Sequence, residues 1–505
     1  MSKLMTLCAM LLLFCATTFG QKGAFKLKVK DEDNLNLPGA SVKLSPGNYS
    51  GTTNQYGEIL IANIPSGEYT LSISYIGYGS VEKKIDIQPN GTELIETLSS
   101  KAVTGAEVVV MGDRLKGQAR ALNQQKNSDR VTNIISADQM GRFPDGNIGD
   151  AIKRVPGITM QNDQGEARNI IVRGMGPEFN SVTMNGERIP SAEGDNRRIQ
   201  MDLIPTDMIQ TVEVSKTLTA DMDADAIGGS VNLITRTAPN GLRLSGTVAG
   251  GFNPIRDGFI GTANFIAGSR TANKKLGYVV SGSFNRNDFG SDNLEAAWAK
   301  DANGKLYIND HDLRIYDVIR VRRSVTTTLD YSINKLNTLY LTGAYTWRDD
   351  KENRFRLRHR ARGGAGDLIY DANGDITGYN NGEVLRQTKG GINTGRNDGR
   401  RLEDQRVRSL ALRGDHQWGK LKTNWSVQLA KASEKRPNER YVAMGRRGIT
   451  VNQNISEAEY PLLTDNTPLS SYTRMDELTE QFQDQFERDI NSRLDFSLPL
   501  SIVKN

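Results

Sequence analysis

SVTTTLDYSINKLNTLYLTGAYTWR, residues 324–348, decides the fold. In its first half Val325, Leu329, Tyr331 and Ile333 fall on one side, and Thr326, Thr328, Asp330 and Ser332 on the other. In its second half Leu339, Leu341, Tyr345 and Trp347 oppose Thr342, Thr346 and Arg348, with a tight turn at 334–337 between the halves. Side chains alternate across a strand with a period of two, so each half reads as a strand with one apolar and one polar face. The same alternation runs through 242–252, 259–267, 278–285, 409–418, 423–431 and 490–500, which predicts eight such strands within 241–505. A soluble sandwich has the same period. Connection lengths separate the two readings. Long loops predicted at 290–315, 349–406 and 433–481 alternate with short turns at 334–337 and Gly419-Lys420. That is the pattern of a transmembrane barrel with tight turns on one side and extended loops on the other. A closed eight-stranded barrel is filled by its own side chains, and a plugged one needs about 22 strands. The expectation is therefore the N-terminal part of a larger barrel, in a chain that is a fragment or is truncated.

Composition agrees with this reading. Of 505 residues 37% are hydrophobic and 24% charged, too apolar for wholesale disorder, and the 50 glycines follow no collagen period. Mean hydropathy is −0.50, and no apolar run near 20 residues occurs beyond the N-terminus. This excludes a helical membrane protein and leaves a β-barrel open. A net charge of +5 is mild for this length and does not imply a nucleic-acid partner. Lys3, an apolar run at 4–15 and Thr18-Phe19-Gly20 read as a signal peptide cut before Gln21, hence export. Phe14 is too bulky for a lipidation motif at Cys15. Cys8 and Cys15 both lie in that segment, so the mature chain has no disulfide and no thiolate metal site.

Residues 21–100 show short alternating runs at 25–29, 41–44, 58–61, 69–75, 85–87 and 94–98, separated by turn residues such as Pro38-Gly39 and Pro65-Ser66-Gly67. Strands at this spacing predict a small β-sandwich. The text TTNQYGEILIANIPSGEYTLSISYIGY, residues 52–78, resembles the carboxypeptidase-regulatory-like domain at the N-terminus of many outer-membrane receptors. Residues 101–240 read as mixed α/β. Ser136-Ala137-Asp138-Gln139 has capping-box spacing. Ile148, Ala151, Ile152 and Val155 share one face of a helix over 146–155, which Pro156-Gly157 stops. Strands follow at 169–173, 181–184, 209–214 and 230–235.

Here the resemblance becomes specific. AIKRVPGI (151–158), IIVRGMGPEFNSVTMNGERIP (170–190), DLIPTDMIQTVEV (202–214) and DMDADAIGGSVNLITR (221–236) resemble successive landmarks of the plug domain of TonB-dependent outer-membrane receptors. Within them Arg173, Gly174, Asn185, Gly186, Gly228 and Gly229 are the motif positions. Upstream, Glu107-Val108-Val109-Val110-Met111-Gly112 resembles the TonB box, a β-prone segment able to pair with a partner's sheet edge. The resemblance implies this organisation: signal peptide 1–20, sandwich 21–100, TonB-box linker 101–115, plug 116–240 and partial barrel 241–505. It implies a receptor and transporter in the outer membrane that takes a small nutrient ligand into the periplasm with energy from TonB. Lipid and lipopolysaccharide would surround it. The 173–203 stretch looks closer to the subgroup linked to carbohydrate uptake than to the ferric-siderophore subgroup. The rival readings are a non-transporting adhesion or binding protein, a non-functional truncated receptor, and a signalling receptor. The last would carry a different N-terminal module.

Other chemistry is thin. His311, His359 and His416 read as far apart, two in loops and one in a strand, so no zinc site is expected. Asp221, Asp223 and Asp225 open like a calcium loop, but Ala226 and Asn232 stand where glycine and glutamate are needed. No nucleophile motif or phosphate loop appears, so neither an enzyme nor a cofactor is expected. Arg354, Arg356, Arg358, Arg360 and Arg362 would line one face of an extended segment and suit an anionic ligand; a solvated external loop is the plainer reading. Arg168, Arg173, Arg188, Arg197 and Arg198 are expected to pair with carboxylates of the barrel wall.

Overall fold

The computed structural model describes residues 22–32, 34–54, 56–99, 114–140, 146–193, 198–220, 222, 224–334, 336–392, 397, 399–418 and 421–498. The signal-peptide segment 1–20, the TonB-box segment 107–112, Arg197, Asp221 and Asp223 lie outside them. The chain is mostly β and forms three bodies of structure.

The first body is a sandwich of β1 (Lys22–Asp31), β2 (Ser41–Ser45), β3 (Tyr49–Thr52), β4 (Glu58–Pro65), β5 (Gly67–Ser74), β6 (Val81–Ile87) and β7 (Thr92–Leu98). A three-stranded sheet, β4-β1-β7, faces a four-stranded one, β3-β2-β5-β6. Inward positions Phe25, Leu27, Val29, Leu44, Leu71 and Ile87 make its core. Lys26, Lys28 and Glu58 lie on the opposite face, where Lys28 Nζ donates to Glu58 at 2.9 Å. Burial would push the Glu58 carboxyl up, but Lys28 and Lys26 together hold it down at about 2.

The second body begins with α1 (Arg114–Lys126), then β8 (Thr132–Ser136), α2 (Ala137–Met140), α3 (Ile148–Ile152), β9 (Ile158–Asp163), β10 (Glu166–Val172), β11 (Asn180–Met184), β12 (Glu187–Arg188), β13 (Ile209–Ser215) and β14 (Gly229–Thr235). The five-stranded sheet β12-β11-β14-β13-β8 carries the small helices, and β9 and β10 form a separate hairpin. Half of the expected capping box forms: the Ser136 N–H donates to the Gln139 side chain at 3.1 Å, and the helix it starts is one turn long. Asn147 caps α3 by accepting from the Asp150 N–H, and Ile148, Ala151, Ile152 and Val155 are all buried, as their spacing predicts.

The third body is a wall: β15 (Arg243–Asn253), β16 (Gly258–Arg270), β17 (Leu276–Lys300), β18 (Leu306–Asn334), β19 (Asn337–Ala361), β20 (Leu368–Tyr370), β21 (Ile376–Gly391), β22 (Arg401–Trp418), β23 (Leu421–Asn454), β24 (Leu462–Thr464) and β25 (Arg474–Ser497). The eight long strands other than β21 run as an antiparallel meander, with β21 pairing β19 and β23 near one end. Most of the predicted long loops at 290–315, 349–406 and 433–481 are instead strand, so those loop boundaries are corrected. The polarity alternation that reveals a strand stops there, while the backbone ladder continues.

The wall has inverted polarity. Val325 on the outward face is 48% exposed, whereas Thr326 and Thr328 facing inward are 3% exposed. On β18 outward residues stay largely apolar from Ile333 to Val325 and become charged at Arg323. Ten strand residues at about 3.3 Å each, tilted about 45°, span about 23 Å, close to the apolar band of a membrane barrel. Trp347 sits at the band's edge, with the Arg323 and Arg406 guanidinium groups each 4.6 Å from its ring centroid. Among the described residues no helix is long and apolar enough to cross a membrane.

The sandwich docks at the tight-turn end of the wall. Tyr56 stacks on the inward-facing Tyr340 with ring centroids 4.0 Å apart. Asn36 Nδ2 donates to Thr237 Oγ1 and to the Ala238 carbonyl, both at 3.3 Å. Arg120 of α1 pairs with Asp31. Such aromatic pairs contribute about 0.5–1.5 kcal/mol beyond area burial. Tyr340→Ala is therefore expected to speed protease attack on residues 22–99 about two- to tenfold. The strand content of the wall, read by circular dichroism, should stay unchanged.

Candidate functional site

The feature that stands out is where plug and wall meet. Arg320, Arg322 and Arg348 project inward from β18 and β19 and are 0% exposed. Inward direction follows from parity, since all three share the face of Thr326, Thr328 and Thr346 along ladders without a bulge there. A buried guanidinium must find anions. Arg320 and Arg322 both pair with Glu166 at the start of β10, and Arg348 pairs with Asp202. Arg322 Nε also donates to the Asp202 carbonyl at 2.7 Å, and Arg320 Nη2 to Gln164 Oε1 at 2.8 Å. On the wall side Arg320 Nε holds Asp350 at 3.0 Å, and Arg401 bridges Glu352, Glu403 and Glu439. Gln164 closes the loop by donating to Glu352.

These charges set the protonation of the plug carboxylates. Burial would push the Glu166 carboxyl up, but the Arg322 and Arg320 guanidinium groups outweigh it and hold it at about 2. Asp202 is likewise held well below the usual carboxylate range: burial opposes this, and Arg348, Arg168, Arg320 and Arg322 overcome it.

The expected ion pairs run the other way. Of the plug arginines named earlier, Arg168 binds Asp163 at 2.6 Å and Glu193, Arg188 binds Asp225, and Arg198 lies 3.4 Å from Glu178, all of them partners in the plug itself. Arg173 donates to the carbonyls of Gly228 and Ile227 at 2.9 and 3.0 Å. In the three plug–wall ion pairs given above, the wall carries the arginines and the plug the carboxylates. Sequence reasoning missed Glu166, Asp202, Arg320, Arg322 and Arg348. Arg320 and Arg322, charged residues on the inward parity of a strand, were the available signal.

The plug-motif positions prove to be joints. Arg173 and Gly174 take positive φ (55° and 77°) in the turn after β10. Asn185 and Gly186 (54° and 86°) make the two-residue turn between β11 and β12, the geometry that favours Asn-Gly. Asn185 Oδ1 accepts from the Thr235 N–H at 3.0 Å, tying that turn to β14. A Cβ on Gly228 would collide with Asn180, and one on Gly229 would lie 2.7 Å from Val172 Cγ1. Arg173, Gly228 and Gly229 thus meet in one place.

The five arginines at 354–362 lie in or just beyond β19, not in a loop, and Arg354, Arg356, Arg358 and Arg360 share its inward face. Arg358 holds Asp312 at 2.7 Å, Arg360 holds Asp310 at 2.9 Å, and Arg362 reaches Glu383. The histidines also differ from expectation. His311 and His359 face each other in strand register with rings 6.4 Å apart, and His416 accepts from Trp425 at 2.9 Å. Among the described residues no group of three metal-ligating side chains forms.

Asp202→Asn should leave Arg348 buried without its counter-ion and destabilise plug docking by about 3–5 kcal/mol. A second change, Arg348→Met, should restore most of that stability in a thermal melt. Lost pepsin resistance would report the same joint. Glu166 stabilises docking as the carboxylate. Because its folded value lies below the usual 4.5, that contribution is full above pH 4.5 and disappears as pH falls toward about 2. Pepsin cleavage between residues 158 and 215 is expected to rise across that window.

Comparison with known proteins places these features. Residues 124–230 match the TonB-dependent Receptor Plug Domain, and residues 25–110 the CarboxypepD_reg-like domain. The ferric enterobactin receptor PirA of Pseudomonas aeruginosa is 29% identical over 216 residues, 39% of this chain and 28% of that protein. The iron-regulated outer membrane virulence protein of Vibrio cholerae is 30% identical over 119 residues, 22% of this chain and 18% of that one. The match thus spans less than a third of either relative. A crystal structure of a ferric enterobactin receptor from Pseudomonas aeruginosa aligns over 72% of this chain and 60% of its own, at 13% identity and a TM-score of 0.36.

Proposed function

This chain carries the plug domain of the TonB-dependent receptors, and on that premise we propose that it serves in the outer membrane as a receptor and transporter, admitting a scarce nutrient ligand to the periplasm. The observation that carries the reading is the plug seated by ion pairs on the polar face of a wall whose other face is apolar. An adhesion protein would need the outward apolar face, but not a separable body against the inward one. Glu107 to Gly112, outside the described residues, is the segment we assign to TonB, pairing as an added strand. For the ligand we favour a carbohydrate, on the similarity of residues 173–203 to the carbohydrate-linked subgroup. A ferric siderophore is the second reading, favoured by the similarity to the ferric enterobactin receptor of Pseudomonas aeruginosa.

Proline removes a backbone N–H and blocks strand addition. Val109→Pro is accordingly expected to abolish energy-dependent uptake, with binding of the same ligand at the cell surface unchanged. Uptake that persists in this variant, or in a strain lacking TonB, would refute the coupling.

A further inference from the structure

We propose that the inward face of the wall beyond the apolar band binds a small ligand carrying several carboxylate, sulfate or phosphate groups. The inference deepens the uptake reading and rests on it for the side from which the ligand arrives. No bulge interrupts β18 between Asp310 and Asp330 or its pairing with β19. Arg314 on β18 and Arg354, Arg356 and Arg358 on β19 therefore share the face that touches the plug. They lie beyond the charged edge at Arg323, on the side away from the tight turns. Six residues separate Arg314 from Arg320, about 20 Å of strand. A ligand entering from the long-connection end would meet these arginines before the plug.

Charge does not balance here. Arg314, Arg356 and Arg358 share Asp312, at 2.6, 3.4 and 2.7 Å. Arg354 reaches no carboxylate among the described residues and donates to the neutral Gln387 at 3.0 Å. Nearby, Glu383 accepts from Arg362, Arg447 and Arg474 at 2.8, 2.6 and 3.0 Å. With Arg360 these make eight guanidinium groups, and their carboxylate partners are five: Glu295, Asp310, Asp312, Glu383 and Asp476. Among the described residues the Nε–H groups of Arg314, Arg354 and Arg356 find no acceptor, and neither does that of Arg348 in the joint below. A purely structural network has no need of that excess. The joint below runs opposite, with Arg320, Arg322, Arg348, Arg401 and Arg436 facing seven carboxylates: Glu166, Asp202, Asp350, Glu352, Glu403, Glu434 and Glu439. Planar guanidinium forks in a row match the paired oxygens of carboxylate, sulfate and phosphate. An anion would be held at the collar and stopped by the carboxylates beneath it. An acidic oligosaccharide and an anionic iron chelate both supply this chemistry.

The test uses the full chain in detergent micelles with three probes: a heparin-derived tetrasaccharide, ferric citrate and neutral maltotetraose. At least one anionic probe should bind about tenfold or more tightly than maltotetraose, and Arg356→Gln with Arg358→Gln should weaken it about tenfold or more. Arg440→Gln, which removes an exposed pair with Glu480 on the other face, should leave binding unchanged. Should the double variant lose strand content in circular dichroism, Arg447→Gln, half exposed at the rim, replaces it with the same expectation. Preference for the sulfated sugar assigns the collar to acidic carbohydrate, and preference for ferric citrate to a chelate. Equal binding of maltotetraose, no binding of either anion, or an affinity indifferent to the arginines would overturn the proposal. Intact anion binding without TonB-dependent uptake would strike the transport reading alone.

Discussion

A sheet that shows Val, Leu and Phe to the outside and buries arginine on the inside has to be solvated in reverse. Lipid suits the outer face, but the inner one needs a body that is polar and locally anionic. Arg320, Arg322 and Arg348 impose this most sharply, because each is stripped of water and each would be costly if left alone. Glu166 and Asp202 meet the demand from a domain of different architecture. The position of the plug follows from these pairs: Glu166 starts β10, Asp202 sits in the turn before β13, and Arg173 ties the end of β10 to Gly228. Gly228 and Gly229 leave room for the close approach of Asn180 and Val172, which holds the end of β10 against the start of β14.

What was legible in the sequence was whatever periodicity encodes. The strand pair at 324–348, the sandwich strands and the buried stripe of α3 each follow from a period of 2 or 3.6 residues. Three kinds of feature were not legible. The outer halves of β17, β18, β19 and β23 carry charge on both faces, as in Asp310-His311-Asp312, so nothing marks them as strand except their pairing. Helix α1 has no apolar stripe, burying Ala121 beside Asn123, and its place comes from packing on β8, where Gln125 accepts from the Ile134 N–H at 3.3 Å, and from the sandwich, where Arg120 pairs with Asp31. The direction of the plug–wall pairs depends on which arginines already have partners nearby. Arg168 is claimed by Asp163 and Glu193 within its own domain, and no single-residue property reveals that.

The chemistry of the joint also bears on whether it can open. Among the described residues the apolar cluster of the plug takes in Ala344 and Ala432 of the wall, with Val407 packed against it. The apolar side chains that the wall offers the plug here are small, while its largest buried side chains, Arg320, Arg322 and Arg348, meet the plug by ion pairs and hydrogen bonds. Separating apolar surfaces loses free energy in proportion to the area exposed. Separating hydrogen-bonded polar groups exchanges one set of partners for water, provided water enters as they part. A joint of this kind holds its register strongly while dry, since a guanidinium without its carboxylate is heavily penalised, and gives way once wetted. Force applied at one edge of the plug would admit water to successive pairs rather than break all of them at once. The contrast between small wall alanines and large wall arginines is what the proposed uptake would require: a plug that stays closed by charge and is not glued shut by its core.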